Sequence, residues 1–458
     1  MKFNKMLLAC NTVNKTALQK TVFGAFFCKA AFCLSIAVFF ISCATTDPYI
    51  PVDNFVEQEN FTKSIETLEE KSKTIYRNKD RVLYFLDKGM LTHYNKNYEE
   101  SSSLLQQAER AIEENFAASI SQEIGTFILN DRTREYDGED YEDIYLNLFN
   151  ALNYYKSGNM EGALVEIRRT SNKLRDLSVK YGVLITNMQK LALENNTEIP
   201  PNPDVTIKFN DSALARYLGM LFYRGEGMVD SARIDQNYLR IAMADAPAIY
   251  TNPIPSSITD ELSIPSGMAR LNVIGFAGRS PIKTEEILRI FLGNAWIKIA
   301  LPVMTPRPSR ILSMEVSIDG GESFTLELLE DISSVVTGTF TQKKNLIYVK
   351  SVVRASVKGI AASVFNIVAE QSEENKGLYT ILGLGSQILA EASEKADLRI
   401  ARYFPGKAYV GGINLAPGTY SFTVTFYGQG KEVIASRRHE NVIIKSNTLN
   451  LTEEICLR

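Results

Sequence analysis

Between Pro247 and Pro265 the hydrophobic period of the chain changes, and this change limits the fold more than any other feature. Upstream, from Phe61 to about Asn115, apolar residues recur every three and four positions with no proline: Ile65, Leu68, then Val82, Phe85, Leu86, Met90, Leu91, then Leu104, Leu105, Ala108 and Ile112. That spacing places them on one face of successive helices. Downstream the period is two, in Arg270 to Phe276, Trp296 to Leu301, Ile311 to Ile318 and Ser323 to Leu329, as half-buried strands require. The 458 residues suffice for two or three domains. An α+β multidomain chain follows: helical over 59–250, a linker at 251–266 rich in Pro, Ser and Thr, and β-rich over 267–458.

The helical part carries a recurring pattern. Gly89, Tyr98 and Ser101 flank the turn at Asn95-Lys96-Asn97, and Ala151, Tyr154, Gly158 and Ala163 recur at similar offsets. A third copy runs from Ser212 to Ala246, with Gly219 in its first helix and the turn Arg224-Gly225-Glu226-Gly227. Small residues on facing helices permit close approach, and the spacing resembles the tetratricopeptide repeat, a helix-turn-helix unit of roughly 34 residues. An irregular helical domain needing small core residues would produce the same pattern. Ile199-Pro200-Pro201-Asn202-Pro203 interrupts the helices, because proline cannot continue one.

In the β-rich part, Asp319-Gly320-Gly321 marks a hairpin turn. A strand-like run at Asn345 to Val349 leads into two small-residue-rich apolar helices, an insertion at about 352–396 expected to pack on the sheet. Strands resume at 408–410, 420–426, 432–435, 441–444 and 448–451. Leu415 to Tyr420, with Pro417, Gly418 and Tyr420, resembles a hairpin of small exported β-sandwich modules. The domain is therefore expected to be sandwich-like.

The N-terminus indicates where the chain resides. Lysines 2, 5, 15, 20 and 29 accompany an apolar run from Ala30 that ends in Phe39-Phe40-Ile41-Ser42-Cys43. This resembles the bacterial lipoprotein signal, relaxed by Phe40 where leucine is usual, and implies a signal peptide over 1–42 and a lipid-modified Cys43. Two alternatives stay open. One is a retained anchor, although the run falls short of the roughly 20 residues a span needs. The other is an ordinary cleaved signal. Residues 43–58, polar and containing proline, read as a lipidated N-terminus and tether. The net charge of −3 becomes about −8 without the five leader lysines, which argues against nucleic acid as a partner.

Three stretches, taken with the anchor and the helical repeats, resemble a family of uncharacterised envelope lipoproteins of Gram-negative type. They are Glu135 to Glu142 with Tyr136, Gly138 and Glu139; Gly275 to Lys283; and Lys395 to Arg399 with Asp397, continuing through Phe404-Pro405 to Pro417-Gly418-Thr419-Tyr420. The resemblance implies an architecture and a location in the envelope, anchored through Cys43 and expected at the outer membrane; it implies no activity.

No catalytic, cofactor or metal set emerges. His93 and His439 lie far apart and read as surface or turn residues, and Cys456 has no Cys-x-x-Cys partner. Gly383-Leu384-Gly385-Ser386 lacks the Lys-Ser/Thr of a phosphate loop. The acids from Asp137 to Asp143 suit a helix start, with Tyr136 or Glu139 free to bond a neighbouring unit. Lys395, Asp397, Arg399 and Arg402 read as a solvated connection, with a buried Asp397–Arg399 pair as the alternative. The expected function is a non-enzymatic protein-binding scaffold in the cell envelope. A protein that binds or processes peptidoglycan and a surface-exposed, host-facing lipoprotein are the alternatives.

Overall fold

The computed structural model describes residues 47–121, 134–176, 209, 211–292, 295–341, 343–344, 347 and 395–458. The leader, Cys43, the Gly383–Ser386 loop and all but the last two positions of the helix pair at about 352–396 lie outside these residues; those two positions are not helical. Residues 51–458 form one compact unit and residues 1–50 another. Mixed helix and sheet, as the change of period requires, make up the larger unit.

Residues 50–57 depart from the tether expected there. They form α1 (Ile50–Glu57), whose Val52 and Val56, one turn apart, are fully buried. Pro51 stands in the first turn, where its missing N–H leaves no helical bond unmade. Two apolar residues among polar ones are too few to reveal such a period. Asp53 pairs with Arg279 at 3.2 Å and Arg402 at 2.9 Å, and Glu57 with Arg279 at 2.8 Å.

Helices α2 (Phe61–Ile75) and α3 (Arg81–Tyr94) lead into α4 (Tyr98–Ser121). Next come α5 (Asp140–Lys156) with α6 (160–176), and α7 (Ala213–Gly225) with α8 (Val229–Asp245). The small residues do bring helices together. A Cβ on Gly89 would lie 2.9 Å from Leu105 Cδ2, and Ser101 Oγ donates to Gly89 O at 2.8 Å. Ala151 and Ala163 are fully buried, and Gly158 turns the chain between α5 and α6 at φ +77°.

Gly219 of α7 is tighter still, since a Cβ there would press on the Asp235 carboxylate of α8 and stand 3.1 Å from Ile167 of α6. Arg216 pins Asp235 at 3.0 Å, so it has little room to yield. Gly219→Ala is therefore expected to destabilise the protein by about 2 kcal/mol despite alanine's better helix propensity, measured as a lower urea midpoint.

Seven strands form one sheet in the order β8-β7-β4-β5-β6-β1-β9. They are β1 (Ala269–Arg279), β4 (Ser313–Ile318), β5 (Ser323–Glu330), β6 (Pro405–Leu415), β7 (Gly418–Tyr427), β8 (Val433–Ile444) and β9 (Asn450–Cys456). The sheet curls until it is nearly closed, so the sandwich expectation gives way to a single curved layer. Its outer strands meet through His439 Nε2 and Glu454 at 2.8 Å. Leu271, Val273, Met314, Val316, Phe422, Val424 and Phe426 fill the core.

Four strand readings also change. Pro417-Gly418 joins β6 to β7, which do not pair, so it is a corner and no hairpin; Tyr420 packs against the core there and donates to Ala416 O at 2.9 Å. The two strands expected at 432–435 and 441–444 are the single β8. A separate hairpin pairs β2 (Ile282–Leu292) with β3 (Ala295–Thr305), and the charges of β2 conceal its period. Helix α9 (332–341) follows β5 and buries Ile332, Val335, Val336 and Phe340. Ile347, the one described residue of the strand-like run at 345–349, is helical.

The inner side of the helices packs against the sheet. Phe149 of α5 stacks near Phe276 and Phe404 at 5.1 and 6.0 Å, and Tyr94 of α3 donates to Tyr403 O at 2.7 Å.

Candidate functional site

Glu135 to Glu142, Lys283 and Lys395 to Arg399 converge on one polar seam between helices and sheet, whereas Pro417, Gly418 and Tyr420 lie at the other end of β6. The turn at Gly138 takes φ +80°, where a side chain would be strained and its Cβ would meet Ile112 at 3.1 Å. This places Glu139 as the residue before α5. From there Glu139 accepts from Lys283 Nζ of β2 at 2.5 Å, in a pair whose side chains are 3% and 7% exposed. Lys283 also donates to Arg399 O at 3.0 Å. Arg399 pairs with Asp397 at 2.7 Å and Asp80 at 3.1 Å, and its guanidinium lies 5.1 Å from the Tyr136 ring. The solvated reading of the Asp397 connection is thus replaced by a largely buried one. Burial alone would raise the Asp397 carboxyl, but the Arg399 guanidinium holds it below its ordinary value.

Glu142 lies at the centre of the seam, fully buried. It accepts from Tyr136 Oη at 2.8 Å, Glu139 N at 2.9 Å and Ala401 N at 2.6 Å. Burial, then the neighbouring Glu139, raises its carboxyl to about 7. Asp87 on α3 does the same for Tyr76 Oη and Arg402 N, at 2.8 and 2.7 Å, and burial raises it to about 6. Nearby, Arg307 donates to Ser280 O at 2.7 Å and to Arg402 O; burial, with Arg279 and Arg402 close by, lowers its guanidinium to about 10. These residues are enclosed and hydrogen-bonded, which suits them to holding the helices on the sheet.

Two further polar links cross the same interface. Glu330, at the end of β5, is fully buried and accepts from Tyr145 Oη, Tyr250 Oη at 2.6 Å, Ser212 Oγ at 3.0 Å and Leu214 N at 3.2 Å. It therefore caps the start of α7, where helix polarity favours a carboxylate. His93, expected at the surface, is instead 1% exposed. Its Nδ1 and Nε2 lie 2.7 Å from Asn153 Oδ1 and Glu453 Oε1, and the Tyr98 ring packs 5.8 Å away. His439 stacks on Phe422 at 4.8 Å. Cys456 is buried and free, its thiol pushed up to about 12 first by burial and then by Glu59. That removes it from nucleophilic chemistry.

On the outer side of the helices a cleft of about 570 Å³ opens between α4, α5 and α6. Gln106, Glu109 and Arg110 line it from α4, Tyr154 from α5, and Glu166, Arg169 and Lys173 from α6. Tyr154 Oη accepts from Gln106 Nε2 at 2.7 Å. Behind the lining, the fully buried Asn147 donates its Nδ2 to both Glu109 and Glu166, at 2.9 and 2.6 Å. Burial raises the Glu166 carboxyl, and Glu109 beside it adds to the shift. Burial would raise Glu109 too, but Lys173 at 2.8 Å holds it below its ordinary value. Asn147 Oδ1 and both amide atoms of Asn150 are buried with no hydrogen-bond partner.

Of these cleft residues the sequence singled out Tyr154 alone, as a repeat-packing position, yet a signal was available for the buried amides beneath them. Asn147, Asn150 and Asn153 interrupt an otherwise apolar stretch of α5 that is buried throughout, and amides in such a place need partners or a ligand. Among the described residues no group of acids, histidines and cysteines is arranged to hold a metal. No family profile, curated protein or solved structure matches the chain.

Proposed function

We propose that this chain is a lipoprotein of the bacterial cell envelope, anchored through Cys43, related to the family its three short stretches resemble, and acting as a non-enzymatic protein-binding scaffold on tetratricopeptide-like helix pairs. The observation that carries the reading is the cleft. The inner faces of the helices are occupied by the sheet, so the groove available to a partner is on the outer side of α4, α5 and α6. Concave sites of this size are where small ligands and short peptides bind. Crosslinking in intact cells followed by recovery of the anchored protein tests the scaffold, with one reproducible envelope protein as the expected result and none as the result against it.

The anchor has its own test. Cys43→Ser is expected to remove acyl mass from the purified protein and leave its thermal melt unchanged. Wild-type protein that carries no lipid and keeps its leader would favour the retained anchor instead.

The cell-wall reading is favoured by one observation: two carboxylates that line the cleft, Glu109 and Glu166, share the buried Asn147 amide and are shifted in opposite directions. Sedimentation with purified sacculi tests it, and protein left wholly in the supernatant with muropeptides unaltered counts against it.

A further inference from the structure

We infer that the far end of the β2–β3 ribbon is a membrane-docking element, which enters an anionic lipid surface with its aromatic and aliphatic residues and brings its two cations to the headgroups. It is separate from the lipid at Cys43. The two strands pair along their whole length, from Ile282 opposite Thr305 to Leu292 opposite Ala295, and among the described residues the ribbon pairs with no other strand. Ala300 and Leu301 are buried and hold its base, whereas Ile287 on β2 is 46% exposed. A two-stranded ribbon is too thin to have a core of its own, so apolar residues along it need a covering surface.

The register decides what that surface is. Glu285 and Glu286 stand towards the base, and from Ile287 to Leu292 and from Ala295 to Ala300 neither strand has an acid. Arg289 stands opposite Lys298. Beyond this level come only apolar pairs: Ile290 with Ile297, Phe291 with Trp296 and Leu292 with Ala295. Like charges directly opposite each other destabilise a ribbon in water, and an anionic surface removes that cost. Polarity therefore changes along the ribbon, from acids to cations to apolar residues, which is the order met on entering a membrane. Strand alternation puts Phe291 and Trp296 on the same face as Arg289 and Lys298, so the end is apolar on both faces, whereas a protein surface would cover one. From Arg289 to Leu292 the strand rises about 10 Å, the depth to which interfacial elements reach the boundary of headgroups and acyl chains, and tryptophan favours that level.

Trp296 is the only tryptophan of the chain, so its emission reports on the ribbon alone. The test uses the chain from residue 44 onward, which contains the whole compact unit of residues 51–458 and carries neither leader nor lipid. It is mixed with vesicles of phosphatidylglycerol and phosphatidylethanolamine, or of phosphatidylcholine. With the anionic vesicles the chain is expected to float, its emission to move to shorter wavelength, and lipid brominated on its acyl chains to quench it. Binding to phosphatidylcholine should be at least tenfold weaker. Arg289→Glu combined with Lys298→Glu should weaken anionic binding by a similar factor at an unchanged thermal melt, and quenching of the wild-type chain remains the test if that variant fails to fold. No binding, flotation without a change at Trp296, or equal binding to both vesicles overturns the proposal. So does emission that is already short and shielded from iodide in buffer, which would assign the ribbon's end to the chain's own packing. A shift that follows protein concentration without lipid, together with a dimer in sedimentation, overturns it in favour of a second copy. The chain tested has no lipid and meets no partner protein, so failure here is distinct from failure of the anchor or the scaffold.

Discussion

Glu330→Ala is expected to destabilise the protein by about 4 kcal/mol, the largest effect of any single change considered, seen as a lower urea midpoint with the slope unchanged. The reason lies in what the carboxylate serves. Tyr145, Tyr250, Ser212 and the Leu214 amide all donate to it from buried positions. Removing it leaves each of them without an acceptor and withdraws the cap from α7. A smaller residue cannot be rescued by water, because the site is enclosed. Glu330→Gln should recover part of the loss by restoring one acceptor oxygen. A loss below about 1 kcal/mol for the alanine variant would mean that the helices hold to the sheet without this link.

The second large effect is a dependence on pH. The Glu142 carboxyl is raised from 4.5 to about 7 in the folded chain. The folded state therefore keeps a proton that the unfolded chain releases between these values. Its contribution to stability is fully present below about pH 4.5 and is lost as the pH rises to 7, a loss of about 3 kcal/mol. Asp87, raised from 3.8 to about 6, acts in the same direction over a lower window. Urea midpoints taken from pH 5 to pH 8 should fall, and Glu142→Gln should flatten the decline above pH 6. An unchanged decline in that variant would assign the dependence to other groups.

The sequence made the succession of helices and then strands readable because the two hydrophobic periods are long and regular, but residues 51–458 form one compact unit, and the stretch expected as a linker holds a short helix, Ser257–Asp260, with Ile258 buried. Gly89, Ser101, Ala151, Ala163 and Gly219 were legible as close-packing positions for the same reason, since helix geometry places them on facing surfaces. What the sequence concealed depends on distance along the chain. Glu139 and Lys283 meet across 144 positions, and His93 and Glu453 across 360. No local pattern encodes such meetings, so a buried histidine read as a surface one. Short elements were lost for another reason. Helix α1 has only two buried valines, and Ile332, Val335, Val336 and Phe340 of α9 directly follow a strand, where a helical spacing is easily taken for a loop. The cleft was hidden because its residues are charged, and charges on helices usually mean solvent.

Strand β1 pairs antiparallel with β6 on one edge and parallel with β9 on the other. Both partners lie far downstream: Leu271 faces Ile413 and Asn450, separations of roughly 140 and 180 residues, which places the sheet among slowly nucleating topologies. The helix pairs, whose contacts are local, have no such delay. A newly made chain would thus hold formed helices beside an unpaired apolar strand for an interval set by loop closure. Kinetic traps and binding by holding chaperones are to be expected in that interval, and β6 and β9 are the strands whose arrival ends it.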